Sequence, residues 1–420
     1  MDVKIVIDKA LKELDSNSGV SELVNSFLID LKGAVKKSGF PVSVVLGGSL
    51  AKGTFINGDF DVDIFVRFDK EFPDDLSDSL QKILEFMGVE FERIHGSRDY
   101  FQVDNDLLFE IVPVRKISNY LDAENVSDMS PLHVEYFLSK TKNNKRIVED
   151  IKLAKLFMKS CRVYGAESYI KGFSGHVVDL LVIYYGSFLS LLENVTKWKD
   201  KKIIDIEKHH KFPLMSLNES KIQSPLVVVD PVQQDRNAAA ALSKEKYLLF
   251  IGAAKRFLKA PCLDFFKKFD FDVHIDNLIT KNSKKCDVYE ISLKPIVDKR
   301  DVSGAKILKV FEHISESLEI NDFVIKWKDW YFNRDLARLV FSLDASPLPS
   351  KKVVIGPPVD LVEHVKRFKN KYSSAKKEDD VLCAEIQRKY VEPISLFIDL
   401  LKSKALREKY DVLVEVKKIS

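Results

Sequence analysis

VVLGGSLAKGTFINGDFDVDIFVRF, Val44–Phe68, is the stretch whose reading decides the fold. A short apolar strand, Val42–Leu46, stops at Gly47-Gly48. Two residues without a Cβ let the backbone turn sharply and come close to a ligand. Ser49 follows where a helix would begin, and a helix start offers free N–H groups and a positive dipole end to phosphates. Asn57-Gly58 is a turn dipeptide, and Phe60–Phe68 reads as a second strand. Its period of two points Asp61 and Asp63 from one face and Val62, Ile64 and Val66 from the other. Two carboxylates in so apolar a strand are costly unless their charge is compensated. A pair of divalent cations would do so and would hold a nucleoside triphosphate on the glycine turn. The other reading is an ordinary hairpin with two solvated aspartates. In GSLAKGT the Lys precedes the second Gly, so the stretch is not the phosphate loop G-x-x-x-x-G-K-[ST].

Composition sets the frame. The chain has 420 residues, which predicts two to four domains. It is 45% hydrophobic and 31% charged, with 66 basic against 63 acidic residues and a net charge of +3. Nucleic-acid affinity would therefore come from local basic patches and not from a globally basic surface. Cys161, Cys262, Cys286 and Cys383 stand far apart with no C-x-x-C pair, against a zinc ribbon or a disulfide framework. No run reaches 18 apolar residues and the N-terminus carries charges throughout, so a cytoplasmic protein with no membrane partner is expected.

Along the chain, residues 1–38 read as two helices, and a third, roughly Leu76–Met87, precedes strands near Phe91–Ile94 and Asp99–Val103. The strand Leu107–Val114 carries one charge, Glu110, in an apolar run. A carboxylate so placed is a ligand or a paired group; beside Phe60–Phe68 it joins Asp61 and Asp63, and otherwise it pairs with Arg67 or Arg115. Ser130-Pro131 reads as an N-cap with Pro in the first turn, which leaves His133 at the surface. Arg146–Cys161 is an amphipathic helix with Lys152, Lys155 and Lys159 on one face, either solvated or clamping phosphates. Val163–Phe188 reads as a glycine-rich loop feeding a buried helix, with Tyr164 in the core. In Val227–Leu242 a β-rich run ends at Asp230-Pro231 and leads through a turn to Arg236-Asn237 and an alanine-rich helix. Arg236 has rigid donors suited to a base edge or to phosphate oxygens, or it bridges at the helix start. Beyond Leu258, Ser303–Leu318 reads as a helix and Phe323–Phe332 and Leu336–Leu343 as strands, the first mixing Trp327, Trp330 and Tyr331 with Lys326 and Lys328. Ser346–Ser350 is a natural linker, and the helix His364–Tyr372 carries Lys366, Arg367, Lys369 and Lys371, either a solvated face or a phosphate-tracking one. His209-His210 lacks a further ligand at metal spacing and reads as surface.

A G-G/S followed about a dozen residues later by D-x-D resembles the polymerase-β-type nucleotidyltransferase superfamily. GGSLAKGT-x6-DVD is similar to the archaeal (class I) CCA-adding enzymes, tRNA nucleotidyltransferases. So are the Y-G-A-E…G-F-S-G…Y-G-S-F pattern in Val163–Phe188, the D-P…R-N-A-A-A-A-L of Asp230–Leu242 and the IGPPVDL of Ile355–Leu361. The resemblance implies an α+β chain. A catalytic head (1–142) is followed by a helical neck for base recognition (143–257), an α/β body (258–348) and an α/β tail (349–420) that binds the tRNA acceptor arm. It implies template-free addition of C, C and A to the tRNA 3′ end from CTP and ATP with two Mg²⁺ ions, and it leaves a homodimer open. Asp61, Asp63 and Glu110 take the metals, Glu110 standing where the family most often has Asp. Gly48, Ser49, Lys52, Ser130, His133, Lys155 and Tyr164 receive the triphosphate, Arg236 the base, and Lys366, Arg367, Lys369 and Lys371 the RNA. Lys52 replaces the usual Arg and Ser130 the usual Thr. The alternatives are a poly(A) polymerase or oligoadenylate-synthetase-like enzyme, a small-molecule nucleotidyltransferase, and a non-catalytic RNA-binding protein of the same fold.

Overall fold

The computed structural model describes residues 2–14, 19–56, 61–282, 286–297, 299–333 and 335–420. The chain divides into two compact units, 1–269 and 270–420.

The first unit opens with helices α1 (Val3–Leu14) and α2 (Val20–Ser38). Gly39, at φ 72°, ends α2 in the left-handed region that favours glycine. Strand β1 (Val42–Leu46) runs into a single helical turn, α3 (Gly48–Ala51), and β2 follows at Val62–Phe68. The Asn57-Gly58 turn and Phe60 lie outside the described residues. Helix α4 (Leu76–Met87) is capped by the Asp75 carboxylate, which accepts from the Asp78 N–H at 2.8 Å. Then come β3 (Glu92–Ile94), β4 (Tyr100–Asn105) and β5 (Leu107–Arg115). The sheet order is β1-β2-β5-β4-β3, with β2 and β5 parallel and the other pairs antiparallel. Val62, Ile64, Val66 and Phe68 are each 0% exposed and pack under α2 and α4, where Phe27 stacks on Phe109 at 3.8 Å. The apolar periodicity of β2 thus serves the helices, and its other face is left for chemistry.

Helices α5 (Ser130–Thr141), α6 (Arg146–Ser160), α7 (Gly175–Tyr185) and α8 (Phe188–Val195) carry the chain onward. The Ser130 N-cap expectation is corrected: α5 continues a 3₁₀ turn at Val126–Met129 that is closed by an Asn125–Asp128 capping box. Buried Asp128 also ion-pairs with Arg98 and accepts the Arg115 N–H at 2.7 Å, which ties the end of β5 to the start of α5. After β6 (Lys202–Asp205) and the short α9 (Pro213–Ser216), β7 (Leu226–Val229) pairs parallel to β6. The expected alanine-rich helix is also corrected, because residues 238–241 form turns and the helix, α10, is Lys244–Lys259. The Asn237 side chain accepts from the Val228 and Ala239 N–H groups at 2.9 Å each and holds the run against β7, so helix propensity yields to tertiary hydrogen bonds. Phe157, Phe188, Phe250 and Phe257 anchor the core between α6, α7, α8 and α10. Among the described residues no single helix is long and apolar enough to cross a membrane; α7 and α8 come nearest together but meet at 93° and are mostly core.

The second unit holds α11 (Phe271–Asn282), β8 (Cys286–Pro295), α12 (Arg300–Ile320), β9 (Ile325–Phe332) and β10 (Ala337–Asp344). It continues through β11 (Lys351–Pro358), α13 (Val362–Lys371), β12 (Lys376–Glu378), β13 (Val381–Gln387), α14 (Pro393–Lys402), α15 (Lys404–Arg407) and β14 (Tyr410–Lys418). One sheet has the order β14-β8-β10-β9 and another β11-β13-β12. The C-terminal strand therefore returns to pair with β8. Lys326 of the edge strand β9 pairs with Asp344 at 2.7 Å, and Tyr331 stacks on Phe271.

Candidate active site

The glycine turn sits on the carboxylates. The Gly47 N–H donates to the Asp63 carbonyl at 2.8 Å, and Gly48 adopts φ 54°. A Cβ on Gly48 would stand 1.7 Å from Asp63 Oδ2, and one on Gly47 2.2 Å from the Phe65 ring. No other residue type allows so close an approach. Ser49 lies within α3, its carbonyl accepting from the Thr54 N–H at 2.9 Å.

The parallel register places Asp63 directly beside Glu110, as the lone charge in β5 predicts. Gln102, the register partner of Glu110 on β4, donates to its Oε1 at 2.8 Å. Asp61 departs from expectation in detail: it lies just before β2 and is exposed, although still near enough to act on Asp63. Burial, then the charges of Glu110 and Asp61, push the Asp63 carboxyl up to about 7, with Lys52 opposing. A converging carboxylate set whose ionised form is disfavoured this way is the donor chemistry of a hard divalent cation.

Behind the turn, Lys52 and Lys155 meet on one buried residue that sequence reading missed. Lys52 Nζ lies 2.9 Å from Asp179 Oδ2, and Lys155 Nζ lies 3.7 Å from Oδ1. Lys155 also donates to Thr54 Oγ1 at 2.8 Å and to the Thr54 carbonyl at 3.1 Å. Lys155 is buried, so a solvated face is excluded for it. Burial holds its ammonium below its ordinary value. For Asp179 burial acts upward, but the charges of Lys52 and Lys155 outweigh it and hold the carboxyl low. The signal was present in GHVVDLLVIYY, where Asp179 is the lone carboxylate of an apolar helix. Tyr164 stands beside this group: a Cβ on Gly175 would lie 2.9 Å from its hydroxyl, and Lys159 Nζ sits 4.9 Å from its ring centroid.

His133 and Arg236, 103 positions apart, converge on Asp230, which is 0% exposed. His133 Nε2 donates to both carboxylate oxygens at 3.0 and 3.1 Å, and Arg236 NH1 donates to Oδ2 at 2.7 Å. A third donor, His176 Nε2 at 3.3 Å, was not anticipated. Burial would raise Asp230, but the hydrogen bonds and charges of His133 and His176 prevail and hold it far below the carboxylate range. His133 is thus no free surface residue. The turn bearing Arg236 is braced by His209 and His210, whose Nε2 atoms reach the carbonyls of Pro231 at 3.0 Å and Gln234 at 2.7 Å. Ser130 opens α5 three positions before His133. The carboxylates, the lysine pair and the Asp230 cluster are contiguous, since Lys52 acts electrostatically on both Asp63 and His176. Lys366, Arg367, Lys369 and Lys371 lie in the second unit on α13, all exposed, while Phe368 packs back against Gly356.

Three family descriptions match the chain: a nucleotidyltransferase domain over residues 28–153, the second domain of tRNA nucleotidyltransferase over 149–267, and the C-terminal domain of CCA-adding enzyme over 296–413. The CCA-adding enzyme of Nanoarchaeum equitans is 35% identical over 320 residues, 75% of this chain and 76% of the relative. That of Methanothermobacter thermautotrophicus is 30% identical over 419 residues, covering 96% and 89%. That of Methanocaldococcus jannaschii is 29% identical over 420, covering 95% and 92%. Among solved structures, the RNA terminal uridylyl transferase Cid1 superposes with a TM-score of 0.51 at 13% identity, over 64% of this chain and 100% of that one, a likeness of fold alone. With a polymerase-β-type head and relatives matched over most of its length, the chain belongs to the CCA-adding enzyme family and is a tRNA nucleotidyltransferase.

Proposed function

We propose how the site carries out template-independent addition of C, C and A to the 3′ end of tRNA from CTP and ATP. The observation that carries the reading is the register of β2 and β5, which sets Asp63 against Glu110 under a glycine turn pressed onto the Asp63 carboxylate. Asp61, Asp63 and Glu110 would hold two divalent cations, the cofactor class of nucleotidyltransferase-fold enzymes, and we assign Mg²⁺. When bound, the cations lower the pKa of the attacking ribose 3′-hydroxyl and neutralise the departing pyrophosphate.

The chain's own residues do the positioning. Backbone N–H groups at Gly48 and Ser49 face the phosphates. Lys52 and Lys155 are stored on Asp179 and share their charge with the triphosphate when it arrives, so the cations are in place before the ligand. Tyr164, Ser130 and His133 complete the phosphate-facing wall, and Arg236, tethered through Asp230, meets the base edge. A bidentate fork fixed in orientation discriminates bases because a wrong base leaves polar groups unpaired. The exposed cations of α13 follow the phosphates of the tRNA acceptor arm. The division into head, neck, body and tail, with a cytoplasmic location, completes the proposal. Replacing Asp61 or Asp63 by Ala tests it: nucleotide addition is lost while tRNA binding persists, and near-wild-type incorporation by either variant would overturn the assignment of the carboxylates. Glu110→Ala loses most of the activity, whereas Glu110→Asp is tolerated.

A further inference from the structure

His133, His176 and Asp230 form a cluster to which the proposed function assigns no joint role, since there His133 faces the phosphates, Asp230 tethers Arg236 and His176 has no part of its own. Their donor atoms lie within 4.8 Å of one another, and they come from three separate elements: α5, the first turn of α7 and the turn after β7. Two imidazole nitrogens and a carboxylate oxygen are the donor set of zinc-class ions, whereas Mg²⁺ prefers oxygen alone. The distances support the same class. Ligand atoms at ~2.0–2.1 Å from zinc in a tetrahedral site stand ~3.3 Å apart. His133 Nε2 is 3.0–3.1 Å from the Asp230 oxygens and His176 Nε2 is 3.3 Å from Oδ2.

The geometry points to a transition-metal site, for Zn²⁺ or Co²⁺, made by His133 Nε2, His176 Nε2 and Asp230, with the fourth position open to water or to an incoming oxygen ligand. The Arg236 guanidinium, 2.7 Å from Asp230 Oδ2, now supplies the positive charge at this spot. A bound ion would share Asp230 with this guanidinium, which stays on Oδ2. Two features keep the affinity below that of closed structural sites. Arg236 competes for the carboxylate, and Nδ1 of His176 has no hydrogen-bond partner among the described residues, an outer support whose loss typically costs ~10–100-fold in metal affinity. A bound ion would join α5 to α7 and to the strand-end turn by bonds rather than hydrogen bonds, stiffening the wall of the pocket. The site goes beyond the proposed function, with which it shares His133 and Asp230, and does not depend on how Asp61, Asp63 and Glu110 act.

The test titrates metal-stripped full-length protein with Co²⁺, read by its visible spectrum, and with Zn²⁺ by calorimetry, both in excess Mg²⁺ so that the carboxylates are saturated. One ion per chain with tetrahedral cobalt bands is expected, together with a zinc-dependent rise in melting temperature. His176→Gln keeps a donor toward Asp230 but loses the metal ligand. Removing a ligand should weaken binding by more than the ~100-fold upper cost of losing an outer partner, and abolish both the bands and the zinc-dependent rise in melting temperature. Should that variant fold poorly, His133→Gln is read by the cobalt spectrum alone. Unchanged affinity and bands in either folded variant, or no binding to wild type in excess Mg²⁺, would overturn the site.

Discussion

Replacing Asp63 by Asn converts the proposed metal ligand into a neutral isostere and exposes what the ligand costs the fold. The Asp63 carboxyl sits at about 7 against an ordinary 3.8, so the folded chain holds its proton more tightly than the unfolded chain does. The sign follows: stability from this group is fully present below pH ~4, is lost as pH rises toward 7, and stays lost above. At ~1.4 kcal/mol per pH unit, the gap between about 7 and 3.8 amounts to ~4 kcal/mol at pH 8 and ~2 kcal/mol at pH 5. The amide of the variant carries none of this penalty, because it never ionises. In EDTA, urea unfolding should therefore find Asp63→Asn more stable than wild type by ~4 kcal/mol at pH 8, the gap shrinking to ~2 kcal/mol at pH 5. Millimolar Mg²⁺ should stabilise wild type and close most of the gap, while nucleotide addition by the variant is lost. A variant equal to or less stable than metal-free wild type at pH 8, or a gap indifferent to pH, would refute the claim that Asp63 is a strained, cation-demanding carboxylate.

Asp179→Leu removes the anion between Lys52 and Lys155 and leaves buried charge uncompensated; equilibrium unfolding should show a loss of ~3–5 kcal/mol. Gly48→Ala must fit a methyl 1.7 Å from Asp63 Oδ2 at a positive φ, so Mg²⁺ affinity measured by calorimetry and turnover should both collapse. Arg236→Ala should lower incorporation of C and A and erode rejection of UTP, with Arg236→Lys recovering little; equal losses with all four nucleotides would make Arg236 a structural residue. Changing Lys366, Arg367, Lys369 and Lys371 together to Ala should flatten the dependence of tRNA affinity on salt by up to ~4 counterions, scored by filter binding across a salt series.

The strands that carry the carboxylates were legible because their message is local. Alternation in β2 and the isolated charge in β5 mark both the fold and the two carboxylates, and parallel pairing brings them into register. What stayed hidden depends on distant partners. Asp179 looks like an anomaly in an apolar helix until Lys52 and Lys155 arrive from 127 and 24 positions away. The alanine run after Arg236 has every local reason to be helical, yet Asn237 binds it to β7. In the second unit β8 and β14 gave no signal strong enough to name. Because β14 pairs with β8, removing residues 351–420 would strip a strand from the β14-β8-β10-β9 sheet, so point substitutions on α13 are the sound probe of RNA contact.

The most direct measurement supplies full-length protein and Mg²⁺ with a tRNA ending at its discriminator base and labelled CTP, ATP, UTP or GTP, singly and mixed. The expected result is addition of C from CTP alone, of a terminal A from ATP only after two C residues, termination at CCA, and little from UTP or GTP. A homopolymer grown from ATP or UTP alone, or equal use of all four nucleotides, would contradict it.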